Sequence, residues 1–440
     1  MDTLARKTIA SNLRRRLAAK AAPRQVEVFD ETPVDRQDIA QDRLDLANKT
    51  RSNVFPWRGQ FSPELIELFL GHYVSSNALI VDPFVGVGTT LFEAARKGLP
   101  AIGVEINPAA VTMAETVMFL RKSQSERADI CKAASCLIQQ HVAMDGPLFA
   151  GGQQPSSPVN AIVELIRESR GNPAVCNVLA NVLIRLLESS RPNQPNQVAS
   201  ALRQHEAVVF NLPTSAADYA VAHADARSMP VTTGTVDLII TSPPYINVFN
   251  YHQNNRRAME LLGWNLLGIA RSELGANRKH RANRFLTVIQ YCVDMSMALD
   301  EFRRVLKPGG RVIMIMGRES CVRGVSFRNG CLVGALAASG DLRLACRQER
   351  KFTNKFGELI YEDILHLLPT DRGSVCHDAE PRALAVHFLE DALTRCAKAD
   401  VRADLQAAIA GADGVSASPL LSQGVNTKDD RSTTSASGQA

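Results

Sequence analysis

Two short segments of the chain carry residue types that suit group transfer, and one of them is Asp237–Tyr245. An apolar run there ends in Ser242, Pro243, Pro244 and Tyr245. Because proline has a fixed φ and no backbone N–H, the carbonyls of two adjacent prolines are held rigidly and point away from a regular ladder. The Ser242 hydroxyl and the Pro243 carbonyl can each accept a hydrogen bond, and Tyr245 offers an aromatic face for stacking. These groups suit the activation of an amine on a flat ring.

The reaction that such a pocket would support is methylation of an exocyclic base amine. The amine is a poor nucleophile because its lone pair is delocalised into the ring, and two acceptors would pull its nitrogen toward a tetrahedral shape. That is catalysis by positioning and electrostatics. A base inside a duplex cannot reach the pocket, so a duplex substrate implies base flipping. No cysteine follows a proline in this chain, which disfavours methylation of a ring carbon through a cysteine nucleophile.

The other informative segment is Val81–Thr90, in which a predicted strand feeds a glycine turn and then a helix. Gly86 and Gly88 lack side chains, so a ligand can approach the backbone closely. Glu105 follows at the end of the next predicted strand, about 20 residues on, the spacing at which an acid reaches a ribose hydroxyl.

The elements that would position these residues alternate between strand and helix. Such alternation predicts an α/β fold with a largely parallel sheet covered on both faces, and a final hairpin adds one antiparallel strand. Asn107-Pro108 predicts a helix start, with Asn107 as cap. The predicted strands are 78–82, 101–106, 236–241, 311–316, 342–352 and 359–368.

Polarity along the chain predicts its domain organisation. Residues 1–50 form a polar N-terminal arm, and 51–370 form the α/β domain with a helical insertion at about 121–215. Residues 371–410 are a peripheral helical segment, and the Ser-, Gly- and Thr-rich stretch 411–440 is expected to be a disordered tail.

Composition restricts the function classes only slightly. The 440 residues are 45% hydrophobic with a formal charge of +5, which permits nucleic-acid binding without arguing for it. The nine cysteines form no CxxC pair, so neither a metal site nor a disulfide framework is predicted. We find no signal peptide and no apolar run of the roughly 20 residues that a membrane span needs, and we expect a soluble cytoplasmic protein.

The turn D-P-F-x-G-x-G-T and the loop S-P-P-Y together resemble the motifs of the DNA amino-methyltransferases, which methylate exocyclic amines of DNA bases. The resemblance covers most of residues 55–370 and implies a Rossmann-like methyltransferase sheet with S-adenosylmethionine as cofactor. Phe55–Pro63 also resembles a family motif that closes over the methionine end of the cofactor, although core packing would explain it equally. The cofactor-binding residues that the resemblance implies are Asp82, Phe84, Gly86, Gly88, Thr89, Glu105 and Asp225.

Asp225 matches the family position that contacts the adenine amine of the cofactor, and an ordinary loop or cap aspartate is the alternative. The catalytic residues that the resemblance implies are Ser242, Pro243, Pro244 and Tyr245. Within the family, serine at the first position of this loop goes mostly with cytosine N4. The rival interpretations are methylation of adenine N6, methylation of guanine N2 in RNA, and a catalytically silent nucleic-acid-binding module. The intact motifs argue against the silent module.

The expected partner is DNA with a flipped base, and a cognate restriction endonuclease is a further expected partner. Phosphate contacts are predicted from a cluster after the catalytic loop, because Arg and Lys neutralise phosphates and Asn and Arg can contact bases. The residues that recognise the DNA sequence are expected either in this cluster or in the helical insertion. The cluster comprises Asn247, Asn250, Asn254, Asn255, Arg256, Arg257, Arg271, Arg278, Lys279, His280, Arg281 and Arg284.

Overall fold

The computed structural model of the protein describes residues 3–46, 49–57, 59–142, 157–246, 253–275, 282–354, 357–370 and 379–421, with the side chains of 3–14 and Ala379 excepted. Several predicted features lie outside these residues. They are Asn247, Asn250, Arg278–Arg281, the centre of the turn at 354–357, most of the loop 151–158, and 422–440 of the predicted tail.

The helices and strands alternate through most of the chain. The helices are α1 (Thr3–Glu31), α2 (Gln41–Asp45), α3 (Pro63–Tyr73), α4 (Thr89–Arg96), α5 (Pro108–Ala114), α6 (Gln124–His141), α7 (Pro158–Glu168), α8 (Pro173–Glu188), α9 (Pro195–Asn211), α10 (Arg256–Leu261), α11 (Leu266–Ser272), α12 (Leu286–Val305), α13 (Asn329–Ser339), α14 (Ala379–Arg395) and α15 (Ala399–Ala410). The strands are β1 (Ile80–Asp82), β2 (Ala101–Glu105), β3 (Tyr219–His223), β4 (Val236–Thr241), β5 (Leu306–Gly317), β6 (Glu319–Val322), β7 (Val325–Arg328), β8 (Leu342–Thr353) and β9 (Leu359–Pro369).

Within the described part of the chain, seven strands form one sheet in the order β3-β2-β1-β4-β5-β9-β8. The first five are parallel, and β9 runs antiparallel to both β5 and β8. The strand order reverses between β1 and β4, and open α/β sheets bind ligands outside the carboxyl ends of the strands at such a point. The prediction of a Rossmann-like sheet with a terminal antiparallel hairpin is therefore confirmed.

Local chemistry explains where the elements beside this reversal point begin and end. The central strands are buried and apolar, as parallel strands covered on both faces should be. The Asn107 side chain accepts hydrogen bonds from the amides of Ala109 and Ala110 at 2.9 and 3.2 Å, so α5 begins with the predicted cap. Gly98, with φ +67°, follows the end of α4.

The stretch predicted as a helical insertion contains α6–α9, which pack against each other and against α5. The buried guanidinium of Arg127 ties its two ends together by donating to the carbonyls of Phe119, Val209 and Leu212. No helix in the described ranges has both the length and the apolar character that crossing a membrane requires.

The helix in the predicted N-terminal arm, α1, packs against α13 and α14. Its Phe29 is buried, and a Cβ built on Gly334 would come within 2.7 Å of the Phe29 ring. The Arg347 guanidinium stacks on this ring, 4.6 Å from its centroid. The residue at 334 must therefore be very small, and the arm lies against the body of the molecule.

The first part of the predicted tail is ordered, in contrast to the expectation. Val415 and Ser418 are buried, and the Ser418 amide and hydroxyl both donate to Asp294 on α12 at 2.7 Å. The buried Arg227 side chain donates to the Ser418 carbonyl and to Asp294 at 2.8 Å each. The polar composition of this stretch predicted disorder. Its polar groups instead form hydrogen bonds with the buried charges of Arg227 and Asp294, which are distant in sequence.

This network predicts a sharp boundary for C-terminal truncation. A chain that ends at Leu421 keeps the contacts, whereas one that ends at Gly414 leaves buried charges without their donors and acceptors. Because removing one partner of a buried ionic network costs about 3–5 kcal/mol, the shorter chain should have a clearly lower free energy of unfolding. Urea denaturation of the two chains measures this difference, and equal midpoints would contradict the structural role of residues 415–421.

Candidate active site

The buried carboxylate of Asp82 joins the two predicted motifs. Its Oδ1 accepts hydrogen bonds from the Thr241 hydroxyl at 2.6 Å and from the Phe84 amide at 3.1 Å. Its Oδ2 accepts from the Thr90 hydroxyl at 2.6 Å. Burial raises the pKa of Asp82 to about 6, although these hydrogen bonds oppose the shift. Asp82 therefore fixes the glycine turn against the strand residue that precedes Ser242, and its contacts indicate a positioning role.

The glycine turn requires glycine for its backbone conformation. Gly86 has φ +53° and Gly88 has φ +96°, both in the left-handed region that favours glycine. A Cβ built on Gly86 would lie 3.6 Å from Nε1 of Trp57, its nearest neighbour. The indole of Trp57 therefore covers the turn at ordinary contact distance.

The segment Phe55–Pro63 is anchored to the start of α4. The Asn53 amide donates to the Thr89 hydroxyl at 3.1 Å and to the Phe61 carbonyl at 2.9 Å. The Thr89 hydroxyl in turn donates to the Gln60 side chain at 3.4 Å. These bonds place the segment over the glycine turn, which is the position that its motif resemblance predicts.

The carboxylate of Glu105 bridges the glycine turn and the start of α5. Its Oε2 accepts from the Gly86 amide at 2.9 Å, and its Oε1 accepts from the amides of Ile106 and Asn107 at 2.9 and 2.8 Å. Burial raises the pKa of Glu105 to about 7, against the effect of these amides. Glu105 thus stands at the carboxyl end of β2 as an acceptor whose charge changes near neutral pH.

The side chain of Asp225 is engaged by the protein itself. Both its oxygens accept from the Arg227 guanidinium, at 2.9 and 2.7 Å, and its Oδ2 also accepts from the Leu421 amide at 3.2 Å. The two side chains are almost fully buried. A contact between Asp225 and an adenine amine would require one of these donors to be displaced, so the arrangement favours the alternative of a structural aspartate.

The Ser242–Tyr245 loop, which is predicted to be catalytic, is held by neighbours on β5 and α12. The Tyr291 hydroxyl donates to the Pro244 carbonyl at 3.0 Å, and the Ser242 hydroxyl lies 3.5 Å from the Tyr245 hydroxyl. The Tyr245 ring covers Gly317, where a Cβ would lie 3.4 Å from Cε2. Burial raises the pKa of Tyr245 to about 12, which keeps the hydroxyl neutral.

The structure brings most of the predicted site together. Ser242 follows directly on Thr241, whose hydroxyl binds the Asp82 carboxylate, so the loop and the glycine turn meet at the carboxyl ends of β4 and β1. Asp225 belongs to the Arg227 network. No sequence motif points to Tyr291, which lies inside a long buried helix.

The described part of the predicted phosphate-binding cluster lies on or near α10 and α11 and just before α12. Arg256 pairs with Glu260 on the same helix, whereas Arg257, Arg271 and Arg284 are exposed. Trp264, between the two helices, packs edge-on against His223 at the end of β3, with the ring centroids 4.9 Å apart.

Comparison with known proteins supports the motif assignment over the cofactor half. Residues 29–116 match the N6_N4_Mtase family model, described as DNA methylase. The chain is 36% identical over 80 residues to the type II methyltransferase M.MjaII of Methanocaldococcus jannaschii, and this match covers 18% of the chain and 15% of the relative.

The solved structures that this chain matches have low sequence identity and low TM-scores. A SAM-dependent methyltransferase from Methanosarcina mazei is 12% identical, with a TM-score of 0.31 over 69% of this chain and 97% of that one. A TehB-like SAM-dependent methyltransferase from Corynebacterium glutamicum is 10% identical, with a TM-score of 0.28 over 69% and 87% of the two chains.

The family match contains the glycine turn and Glu105 but ends before the Ser242–Tyr245 loop. The sheet nevertheless places that loop beside the matched segment, through the bond between Asp82 and Thr241. Over residues 29–116, this chain is therefore similar to the DNA amino-methyltransferases that its motifs resemble, and the match spans a small part of the relative's length.

Proposed function

We propose that the protein transfers a methyl group from S-adenosylmethionine to an exocyclic base amine in DNA, with cytosine N4 as the target. The observation that carries the proposal is the junction at Asp82, which joins a glycine turn of the methylase family to an S-P-P-Y loop. The glycine turn and the Ser242–Tyr245 loop thereby meet at the point where the strand order of the sheet reverses.

The residues around the turn fit this cofactor. We assign the backbone at Gly86, over which Trp57 lies, to its methionine portion, and the Glu105 carboxylate to the ribose hydroxyls. Phe84, Gly88 and Thr89 are the other residues that we assign to cofactor binding. Asp82 keeps the turn in its conformation through hydrogen bonds with the Phe84 amide and the Thr90 hydroxyl. The bound cofactor supplies an electrophilic methyl group on a sulfonium.

The catalytic loop would act on the amine by accepting its hydrogens. The Ser242 hydroxyl takes one N–H and the rigid Pro243 carbonyl takes the other, so the nitrogen lone pair turns toward the methyl group. Ser242 is partly exposed, so the amine proton that methylation displaces would leave to solvent past its hydroxyl. Tyr245 stacks against the flipped base, and Tyr291 keeps the loop in place through the Pro244 carbonyl.

The choice of cytosine N4 depends on Ser242, the first residue of the loop. Among the enzymes that this chain resembles, serine at this position goes mostly with methylation of cytosine N4. Adenine N6 is the alternative target, and guanine N2 in RNA is the alternative substrate class. M.MjaII is a type II methyltransferase by name, and a cognate restriction endonuclease is the protein partner that we propose.

Cofactor binding should strengthen as the pH rises through 7. Burial raises the pKa of Glu105 to about 7, so its carboxylate is ionised above this pH and protonated below it. Three backbone amides already donate to Glu105, and only its ionised form keeps an acceptor site for a ribose hydroxyl, so affinity should fall up to about tenfold per pH unit below the pKa. Calorimetry between pH 6 and 8 tests this slope. Glu105→Gln should bind weakly with no slope, and a variant that retains the wild-type slope would contradict the assignment.

The proposed function is tested by transfer of a labelled methyl group from S-adenosylmethionine to nucleic acid. Duplex DNA of mixed sequence and transfer RNA are offered in parallel, and Tyr245→Phe, which keeps the stacking ring, serves as the active control. Label in DNA that resists ribonuclease is the expected result. Label only in RNA would favour the guanine-N2 alternative, and label in neither would overturn the proposal.

A further inference from the structure

A buried ion pair lies next to the base-stacking tyrosine. In the ladder between β5 and β9, Gly317 is paired with Glu362. Residues paired across an antiparallel ladder project from the same face of the sheet. Since the Tyr245 ring covers the Cβ direction of Gly317, the Glu362 side chain lies on the face where Tyr245 sits. The missing side chain at Gly317 lets the Tyr245 ring lie against the strand next to the carboxylate.

Arg350 extends this row of residues. It is paired with Glu362 in the ladder between β8 and β9, and its Nε lies 3.5 Å from Glu362 Oε2. The Arg350 side chain is only 3% exposed, and within the described residues neither of these two atoms has a hydrogen-bond partner. The guanidinium stacks on Phe352, 4.8 Å from the ring centroid.

An ion pair of this kind is costly to the fold. A buried charged group without hydrogen bonds loses its hydration without full compensation, and its cost exceeds that of a hydrophobic pair of the same volume. The other nearby arginine, Arg318, is satisfied by Glu349 and Asp363 at 2.6 and 3.1 Å. Arg350 Nε and Glu362 Oε2 thus lack hydrogen-bond partners among the described residues near Tyr245, and a polar ligand group would complete the hydrogen bonding of this pair.

We propose that Arg350 reads the ring edge of the flipped base, with Glu362 orienting its guanidinium; this inference rests on the proposed function. Cytosine carries two neighbouring acceptors beside its N4 amine, the ring N3 and the carbonyl O2. A planar guanidinium donates two parallel hydrogen bonds, so it matches this pair of acceptors as guanine does in a base pair. Adenine offers only N1 there, followed by a C–H, and the arginine therefore selects cytosine.

The test uses duplex oligonucleotides that contain a site methylated by the wild-type protein. A bidentate base contact contributes about 1–3 kcal/mol to discrimination, so Arg350→Met should lower kcat/KM for cytosine about 10- to 100-fold. Cofactor affinity, read by calorimetry, should not change. Arg318→Met is the matched control, because it removes an arginine of the same sheet region that the protein itself satisfies, and its kcat/KM should remain near wild type.

A modified substrate separates base reading from a loss of structure. In 3-deazacytosine a C–H replaces the ring N3, so the wild-type protein should methylate it more slowly than cytosine. Arg350→Lys keeps the charge but lacks the planar guanidinium that donates two parallel hydrogen bonds. This variant should therefore discriminate less between cytosine and 3-deazacytosine. Equal discrimination by the wild-type protein and Arg350→Lys, or adenine as the wild-type target, would overturn this inference alone. Absence of methyl transfer to any DNA base would overturn the proposed function as well.

Discussion

Replacing Ser242 with alanine is expected to lower the rate of methyl transfer about 100-fold, the usual effect of removing one hydrogen-bond partner of a developing charge. The alanine keeps the loop geometry, because the Pro244 carbonyl still accepts from Tyr291 and Asp82 still binds Thr241. It removes only the hydroxyl that would accept an amine hydrogen. Single-turnover kinetics on DNA measure the chemical step directly.

Cofactor affinity of the Ser242→Ala variant should equal that of the wild type, since Glu105 and the glycine turn are untouched. Ser200→Ala, on α9 of the insertion, is the matched control and should keep the full rate. A Ser242→Ala protein with an undiminished single-turnover rate would refute the role of the hydroxyl.

The second large effect is expected from Gly86→Val, which should abolish binding of S-adenosylmethionine in calorimetry. The valine side chain would fill the space beside the turn, under Trp57, that the cofactor requires. The residue also has φ +53°, where a side chain costs about 1–2 kcal/mol.

The Gly98→Val variant distinguishes the effect of backbone strain from the effect of blocking the cofactor site. Gly98 has φ +67° and no heavy atom within 4 Å of its Cβ position, so this variant carries similar backbone strain outside the site. Both variants should lose similar stability, but only Gly86→Val should lose the cofactor. Normal affinity in the Gly86→Val variant would remove the turn from the cofactor site.

The fold was largely predictable because its signals are local. Apolar runs mark β1, β4 and β5, and Asn107-Pro108 marks the start of α5. The strand β3 was not predicted, because it lies at the edge of the sheet and its residues are only partly buried. Its position there removes the continuous apolar pattern that reveals a central strand.

The candidate site was predictable only where motifs encode it. The surroundings of Asp225 depend on Arg227 and on Leu421, which is 196 residues further along the chain. Arg350 and Glu362 meet through a register that alternation of residue types cannot specify. Long-range pairing of this kind follows from the packing of the whole sheet, and no short segment contains its signal.

Nucleoside mass spectrometry of DNA treated with the protein and S-adenosylmethionine tests the central claim most directly. The expected result is N4-methylcytosine in the digest, at a level that rises with time and vanishes without the cofactor. N6-methyladenine in its place would contradict the choice of target atom. A digest with no methylated base, from protein that binds the cofactor, would contradict the proposal that this chain is a DNA methyltransferase.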